Sequence, residues 1–485
     1  MKVYQFKMRD RMFAVDVNSG NFFEVEKITS DALNLCEKYP KDEVVNKLSR
    51  NYKPGRVKKV LKNISSLEKK GLLFAVGDCG QIKLKRKITD LTLNIVNNCN
   101  LRCCYCWNQS GAYGSVFASK KMMSPEVAFK AIDLLIRESK GARDLVVDFY
   151  GGEPLLNFGL IKGVIEYCRG IRKNNKIDFH FLLATNGTLL DKARGEFLIG
   201  NGVDVAVSLD GPKNIQDLQR PFERGKGSFD LIMSNIRSLK DEFRRRIVGR
   251  ATFTPYSPDT IRTFKFLRQM GFERIEVCES EKAGYGLKAS SKFFFSGKKG
   301  IKQLESIYFE LADFYTDQIL KGNLNYQNTY FNRFFKQLSR LYHIQSIIGS
   351  CSAGFSLMAV DIDSSIYPCT AFVGMPKFSV GSLKKGINER KAAIFLDNKI
   401  SSNCVCNECW VKKICRGCGS CYNLNYFSNK NLRQPDNYYC QLFRYKTQLM
   451  MAMIARIEDK APGLLDTVLV PEYYAARGKR AKNLN

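Results

Sequence analysis

Apolar and polar positions follow three different rhythms along this chain. From about residue 88 to 280, short apolar runs alternate with amphipathic stretches. Leu91–Val96, Leu145–Tyr150, Phe179–Ala184, Val203–Leu209, Val248–Thr254 and Arg274–Val277 read as strands, with helical patterns such as Pro125–Ser139 and Phe158–Arg172 between them. Strand–helix alternation of this kind predicts an α/β fold with a parallel sheet, open or closed into a barrel. The loops at its strand C-termini are then the places for chemistry. Ahead of it, Met12–Val17 and Phe22–Val25 read as strands joined by the turn Asn18-Ser19-Gly20. Helices follow, the last carrying Val57, Val60, Leu61, Ile64 and Leu67 on one face and ending near Gly71. Residues 1–80 therefore have the make-up of a small winged-helix unit, followed by a barrel over 81–284. Residues 285–345, aromatic and basic, read as a bridge containing the helix Leu304–Leu320. Gln441–Arg456 reads as a closing helix, and 451–485 as the helix end and a basic tail.

A length of 485 residues fits more than one folding unit, and 45% hydrophobic with 26% charged residues excludes a disordered polymer. Lys and Arg number 77 against 47 Asp and Glu, leaving +30. That balance favours anionic partners without choosing among nucleic acid, acidic peptide and membrane surface. The run Arg244-Arg245-Arg246 reads as a solvated face, and Phe293-Phe294-Phe295 as core rather than a base-stacking platform, so nucleic acid is not the expected partner. No stretch approaches the ~18 apolar residues of a membrane span, and Met1–Asp10 lacks an export signal's apolar core. The expected compartment is the cytoplasm.

Seventeen cysteines without an export signal point away from disulfides and toward metal. Four lie between Cys99 and Cys106 and nine between Cys351 and Cys440. With only His180 and His343 in the chain, the ligands must be almost purely thiolate, which favours iron–sulfur clusters or Cys-only zinc.

Directly after the first barrel strand stands Cys99-Asn-Leu-Arg-Cys103-Cys104-Tyr105-Cys106. Three thiolates on a tight loop leave a cubane with one iron open to substrate, whereas a zinc loop normally closes with a fourth ligand. One strand later comes Gly151-Gly152-Glu153-Pro154. Together with Thr185-Asn186-Gly187, Val207-Ser208-Leu209-Asp210-Gly211-Pro212, Arg220-Pro221 and Arg250-Ala-Thr-Phe-Thr254, these motifs resemble the radical S-adenosylmethionine (radical SAM) superfamily. The resemblance implies a partial (β/α)6 TIM-like barrel, with Cys99, Cys103 and Cys106 as ligands of a [4Fe-4S] cluster that reductively cleaves SAM to a 5′-deoxyadenosyl radical. It implies SAM contacts from Tyr105, Gly151, Gly152, Glu153, Asn186, Ser208, Asp210 and Arg250. Glu153 would meet the amino group, Ser208 and Asp210 the ribose side, and Arg250 the carboxylate. Cys104 is off the spacing and reads as a packed thiol, and Asn186 has a second reading as a turn holder.

Cys351-Ser-Ala-Gly354, Met358 to Cys369, and Cys406, Cys409, Cys415, Cys418, Cys421 and Cys440 resemble the SPASM extension of peptide-modifying radical SAM enzymes, here over 346–450. That resemblance implies two auxiliary [4Fe-4S] clusters: an outer one on Cys406, Cys409, Cys415 and Cys440, and an inner one on Cys351, Cys369 and Cys421. Two departures stand out. Ser364 occupies a position usually glycine, and Cys418 sits in a widened gap between Cys415 and Cys421, so either Cys418 or Cys421, or both, would complete the inner set. Cys404, Cys36, Cys79, Cys168 and Cys278 are left over.

The N-terminal unit resembles the element that binds leader segments of ribosomally made precursors by adding the leader as a further strand. The whole arrangement resembles maturases of six-cysteine, SCIFF-type precursors. It implies a precursor peptide and a flavodoxin- or ferredoxin-type reductant as partners, and a thioether crosslink between a cysteine sulfur and a carbon as product. The related alternative is an anaerobic sulfatase maturase, which makes formylglycine. That family carries an aspartate just after the cysteine matching Cys369, where this chain has Thr370.

Overall fold

The computed structural model describes residues 2–76, 85–106, 121–174, 176–280, 292–323, 329–331, 334–342, 351–396, 404–415 and 421–469. An antiparallel meander opens the chain: β1 (Val3–Met8), β2 (Arg11–Asp16) and β3 (Phe22–Glu24), in that order across the sheet. The helices Lys27–Cys36, Lys41–Leu48 and Pro54–Lys69 cover one face, burying Val3, Ala14, Leu33, Val57 and Ile64 in a core of their own. Period-two alternation turns Phe13, Val15 and Val17 to the other face, and these join the main core of the molecule. Neither face of the sheet is therefore left to solvent. Tyr4 stacks on Trp410 with centroids 4.5 Å apart and planes 6° apart, and its hydroxyl accepts from Gln448 at 3.2 Å. β1 was not among the expected strands, although Tyr4, Phe6 and Met8 alternate with Gln5 and Lys7 as strand residues do.

Among the described residues the main sheet has eleven strands. Its parallel series runs through β4 (Asp90–Val96), β5 (Asp144–Gly151), β6 (Asp178–Thr185), β7 (Val203–Ser208), β8 (Val248–Phe253), β9 (Arg274–Glu279) and β10 (Thr329–Phe331). Every apolar run between 88 and 280 became a strand, within two residues of its expected ends. The bridge is more than a connection: β10 extends the parallel series beside β9, and the helix Gly297–Leu320 packs along the closing helix Asn437–Lys460. Phe293, Phe294 and Phe295 are buried, as core residues should be.

The cysteine-rich region does not stand apart. β11 (Leu357–Val360) pairs in parallel with β4, and β12 (Ser365–Tyr367), β13 (Gly381–Ser382) and β14 (Gly386–Ile387) continue the same sheet as an antiparallel series. Without β11, the outer edge of β4 would present unpaired backbone groups. Ser364, at φ +71°, makes the tight turn between β11 and β12, its N–H donating to the Asp361 carbonyl at 3.0 Å. The hairpin forms despite the missing glycine, with the serine held in the left-handed region. No helix among the described residues is long and apolar enough to cross a membrane.

Candidate functional site

The loops following β4, β5, β6 and β7 converge at one end of the parallel sheet. Gly151 shows why glycine is required there: at φ +142°, a Cβ would meet the Val96 carbonyl oxygen at 2.3 Å. The close approach lets the Gly152 N–H donate to Val96 O at 3.0 Å and the Glu153 N–H to Asn98 O at 2.9 Å, fastening this loop to the start of the cysteine loop. The Glu153 side chain, 1% exposed, accepts from the Leu155 N–H, the Thr185 hydroxyl and the Asn186 N–H at 3.1, 2.7 and 2.7 Å. Its carboxylate is thus spent on protein donors; burial raises its pKa and these hydrogen bonds pull it back. In this structure Glu153 binds the β5 and β6 loops together.

Asn186 does more than hold its turn. Its Nδ2 donates to Asn100 Oδ1 at 2.8 Å and lies 3.8 Å from Cys99 Sγ, while its Oδ1 accepts from the Thr188 N–H and hydroxyl. The Leu101 N–H also points at Cys99 Sγ, at 3.5 Å. Arg220 Nη1 lies 3.9 Å from Cys103 Sγ. Burial pushes the Cys99 thiol up to about 12, with Cys106 adding to the rise; Cys103 goes higher still, and Cys106 and Cys99 both contribute there. The Cys99, Cys103 and Cys106 thiols therefore act on one another electrostatically, burial disfavours the thiolates of Cys99 and Cys103, and N–H donors approach both of those sulfurs. That donor set fits an iron–sulfur cluster. Among the described residues no three Cys, His, Asp or Glu side chains converge tightly enough to hold a single metal ion; in a cubane each thiolate goes to its own iron. Cys104 donates instead to the Leu218 carbonyl at 3.2 Å, which makes it a tie within the loop.

Asp210 is also engaged. It is 2% exposed, its Oδ1 accepts from the Thr252 N–H at 2.9 Å, and its Oδ2 accepts from Gln219 Nε2 at 2.9 Å and from the Tyr105 hydroxyl. Arg220 Nε is 3.0 Å from the same oxygen, and its guanidinium lies 5.2 Å from the centre of the Tyr105 ring. Sequence reading assigned no role to Gln219 or Arg220, yet their segment sheathes the cysteine loop. The Arg102 and Cys104 N–H groups donate to Pro221 O and Gln219 O at 2.7 and 2.9 Å. The Arg220-Pro221 motif was the visible signal.

Ser208 and Arg250 are register partners at the end of β7 and within β8. On β8 the positions Gly249, Ala251 and Phe253 are buried under the outer helices. Arg250, 45% exposed, has the opposite parity and so faces the interior of the curved sheet. Its Nε lies 3.3 Å from Glu276 Oε2. Asp148, on β5, is pushed up to about 6 by burial, with Arg250 pulling it back.

In the second region, burial drives the Cys369 thiol well above its ordinary value; Cys421 and Cys351 raise it further, and the Ala371 and Phe372 N–H groups lower it. Cys440 is pushed up to about 11 by burial, with Cys406 and Cys409 adding to the rise. The fold thus brings Cys351, Cys369 and Cys421 together, and separately Cys406, Cys409 and Cys440. Cys415 closes the turn after Trp410, its N–H donating to Val411 O at 2.7 Å. Cys418 and Cys79 lie outside the described residues, as does the side chain of Cys404. The two regions are joined by Asn94 on β4, whose Nδ2 donates to Asp361 Oδ1 and Asn97 Oδ1, both at 2.7 Å.

Residues 93–267 match the family description Radical SAM superfamily. With the converging loops and three-thiol donor set, this part of the chain is similar to the radical SAM superfamily. The chain is similar to the cysteine-type anaerobic sulfatase-maturating enzyme of Clostridium perfringens, 25% identical over 360 residues that span 72% of this chain and 92% of that one. Among solved structures, anSMEcpe with bound AdoMet superposes with a TM-score of 0.63 at 22% identity, covering 79% of this chain and 98% of that one. Streptococcus suis SuiB bound to S-adenosylmethionine gives 0.50 at 16% identity, over 91% and 99%. These likenesses carry the fold.

Proposed function

We propose that this chain is a radical SAM maturase that forms an intramolecular thioether in a ribosomally made, cysteine-rich precursor peptide. The observation that carries this reading is the gathering of two further thiol groups, one at Cys351, Cys369 and Cys421 and one at Cys406, Cys409 and Cys440, around a sheet continuous with β4; because β12 runs antiparallel to β11, Cys369 leaves that sheet at the end opposite to the three-thiol loop. Cys99, Cys103 and Cys106 would hold the SAM cluster, and the Cys369 and Cys440 groups the two auxiliary clusters. When bound, SAM and its cluster supply a radical able to remove a carbon-bound hydrogen. The chain's own part is to hold and desolvate them: Glu153 and Asp210 clamp the loops, and Gly152, Ser208 and Arg250 are left on the interior side for SAM.

Substrate capture has a groove of its own. Beside the edge strand β3 and the helix Pro54–Lys69 lies a cleft of about 480 Å³ lined by Phe23, Val25, Arg56, Lys59, Val60 and Leu67. Its apolar floor, its mixed-charge rim of Glu24, Glu26, Arg56 and Lys59, and the outer edge of β3 suit an extended leader peptide added as a fourth strand. A flavodoxin- or ferredoxin-type donor would supply the electrons.

Similarity to a sulfatase-maturating enzyme favours a second reading, conversion of a cysteine to formylglycine. Against it, the residue after Cys369 is Thr370, whose hydroxyl is buried without a hydrogen-bond partner. Anaerobic incubation with SAM, reductant and a cysteine-rich peptide encoded beside the gene separates the two. Loss of two hydrogens and of one alkylatable thiol is expected. An aldehyde in place of a cysteine would overturn the thioether reading.

A further inference from the structure

The three sulfurs of the first loop do not receive the same donors. Cys99 takes neutral ones, the Leu101 N–H at 3.5 Å and the Asn186 amide at 3.8 Å. Cys103 instead has a cation 3.9 Å away, the Nη1 of Arg220. Arg220 is 9% exposed and always charged. It is aimed rather than merely stored: Asp210 forms an ion pair with it, Oδ2 lying 3.0 Å from Nε, Thr252 Oγ1 takes its Nη2 at 3.5 Å, and the Tyr105 ring lies against it. Asp210 is itself anchored by Gln219 and by the Thr252 N–H. The result is a buried three-part line, carboxylate to guanidinium to sulfur, with its positive member toward the cluster loop.

We propose that Arg220, positioned by Asp210, sets the reduction potential of the cluster held by Cys99, Cys103 and Cys106. Reduction adds one electron from an external low-potential donor; no bond of the protein forms or breaks. The added negative charge lies beside a guanidinium shielded from water, so reduction is easier than it would be beside a neutral side chain. Asp210 acts in the opposite sense, because its charge offsets part of that of Arg220. The pair therefore sets the potential between two limits. This inference rests on the cluster assignment, and leaves the identity of the substrate untouched.

The test is an anaerobic redox titration of the reconstituted protein without SAM, followed by electron paramagnetic resonance, in variants whose auxiliary clusters are removed by Cys369→Ser and Cys440→Ser. Iron content checks assembly independently. Arg220→Gln is expected to lower the reduced-to-oxidised ratio at fixed potential at least about tenfold, a shift of about 59 mV for a one-electron couple. Asp210→Asn is expected to raise it, and Arg220→Lys to fall between Gln and the unaltered chain. An unchanged ratio in Arg220→Gln with iron retained, or shifts of the same sign in Arg220→Gln and Asp210→Asn, would overturn the proposal. A change confined to SAM affinity would do so too, by making Arg220 a nucleotide anchor. If Arg220→Gln fails to take up iron, Asp210→Asn decides alone: no rise sinks the idea.

Discussion

In the first cysteine region three thiols lie within one eight-residue loop, braced by segments from far along the chain: Glu153 and Asn186 on one side, Gln219 to Pro221 on the other. The second region works the other way. Its thiols come from separate stretches at Cys351, Cys369, Cys406 to Cys415, Cys421 and Cys440, and the sheet and the helix Asn437–Lys460 bring them together. A local loop with distant supports keeps its geometry if one support is lost. A dispersed set depends on every element that carries it, including the N-terminal sheet, whose Tyr4 rests on the Trp410 next to Cys409.

The contrast can be broken most severely at Cys99. Cys99→Ala should abolish 5′-deoxyadenosine formation, as followed by chromatography, while the iron held by the second region stays. Continued turnover would remove the first loop from the chemistry. Cys369→Ser should do the reverse, leaving SAM cleavage largely intact and ending peptide modification, with iron loss confined to the second region. Third, Trp410→Ala should destabilise the chain by about 3–5 kcal/mol, since it empties a buried aromatic site that also anchors β1. Thermal melting reads the loss, and iron should leave the second region before the first. If both regions release iron together, the claimed difference in support fails.

Acidity gives a finer probe of the barrel side. The Asp148 carboxyl has a folded pKa of about 6 against 3.8, so the folded state binds the extra proton between those values and stability falls as pH rises through that window. Asp148→Asn should flatten this stretch of the profile and stabilise the chain at neutral pH by at most about 3 kcal/mol. Smallest of all, Ser364→Gly should relieve the left-handed turn between β11 and β12 and raise stability by about 1 kcal/mol. A loss there would mean that the serine side chain contributes something its backbone conformation does not reveal.

The barrel was legible because each of its strands is a contiguous apolar run that folds where it stands, and its cysteine loop is a contiguous motif. β1 carries a comparable signal, Tyr4, Phe6 and Met8 alternating with Gln5 and Lys7, yet was not among the expected strands. The continuity of the main sheet was not legible: β11 is only four residues long, and nothing in Leu357–Val360 names β4 as its neighbour. Among the site residues, Glu153 and Asp210 stood out by their motifs, whereas the hydrogen bonds they make within the protein did not. A motif marks a carboxylate as important, whereas burial and the directions of the surrounding N–H groups decide what it binds. Gln219 and Arg220 gained meaning only when the chain returned to lie on the cysteine loop.

The bond from Asn94 to Asp361 spans 267 residues of sequence. On the ribosome, the opening strand of the barrel must therefore wait, one flank uncovered, until the chain has been made as far as Asp361. Such a delay slows maturation and exposes a sticky edge to neighbouring chains. Slower translation, lower temperature or added chaperone should raise soluble yield more than any change of buffer after purification.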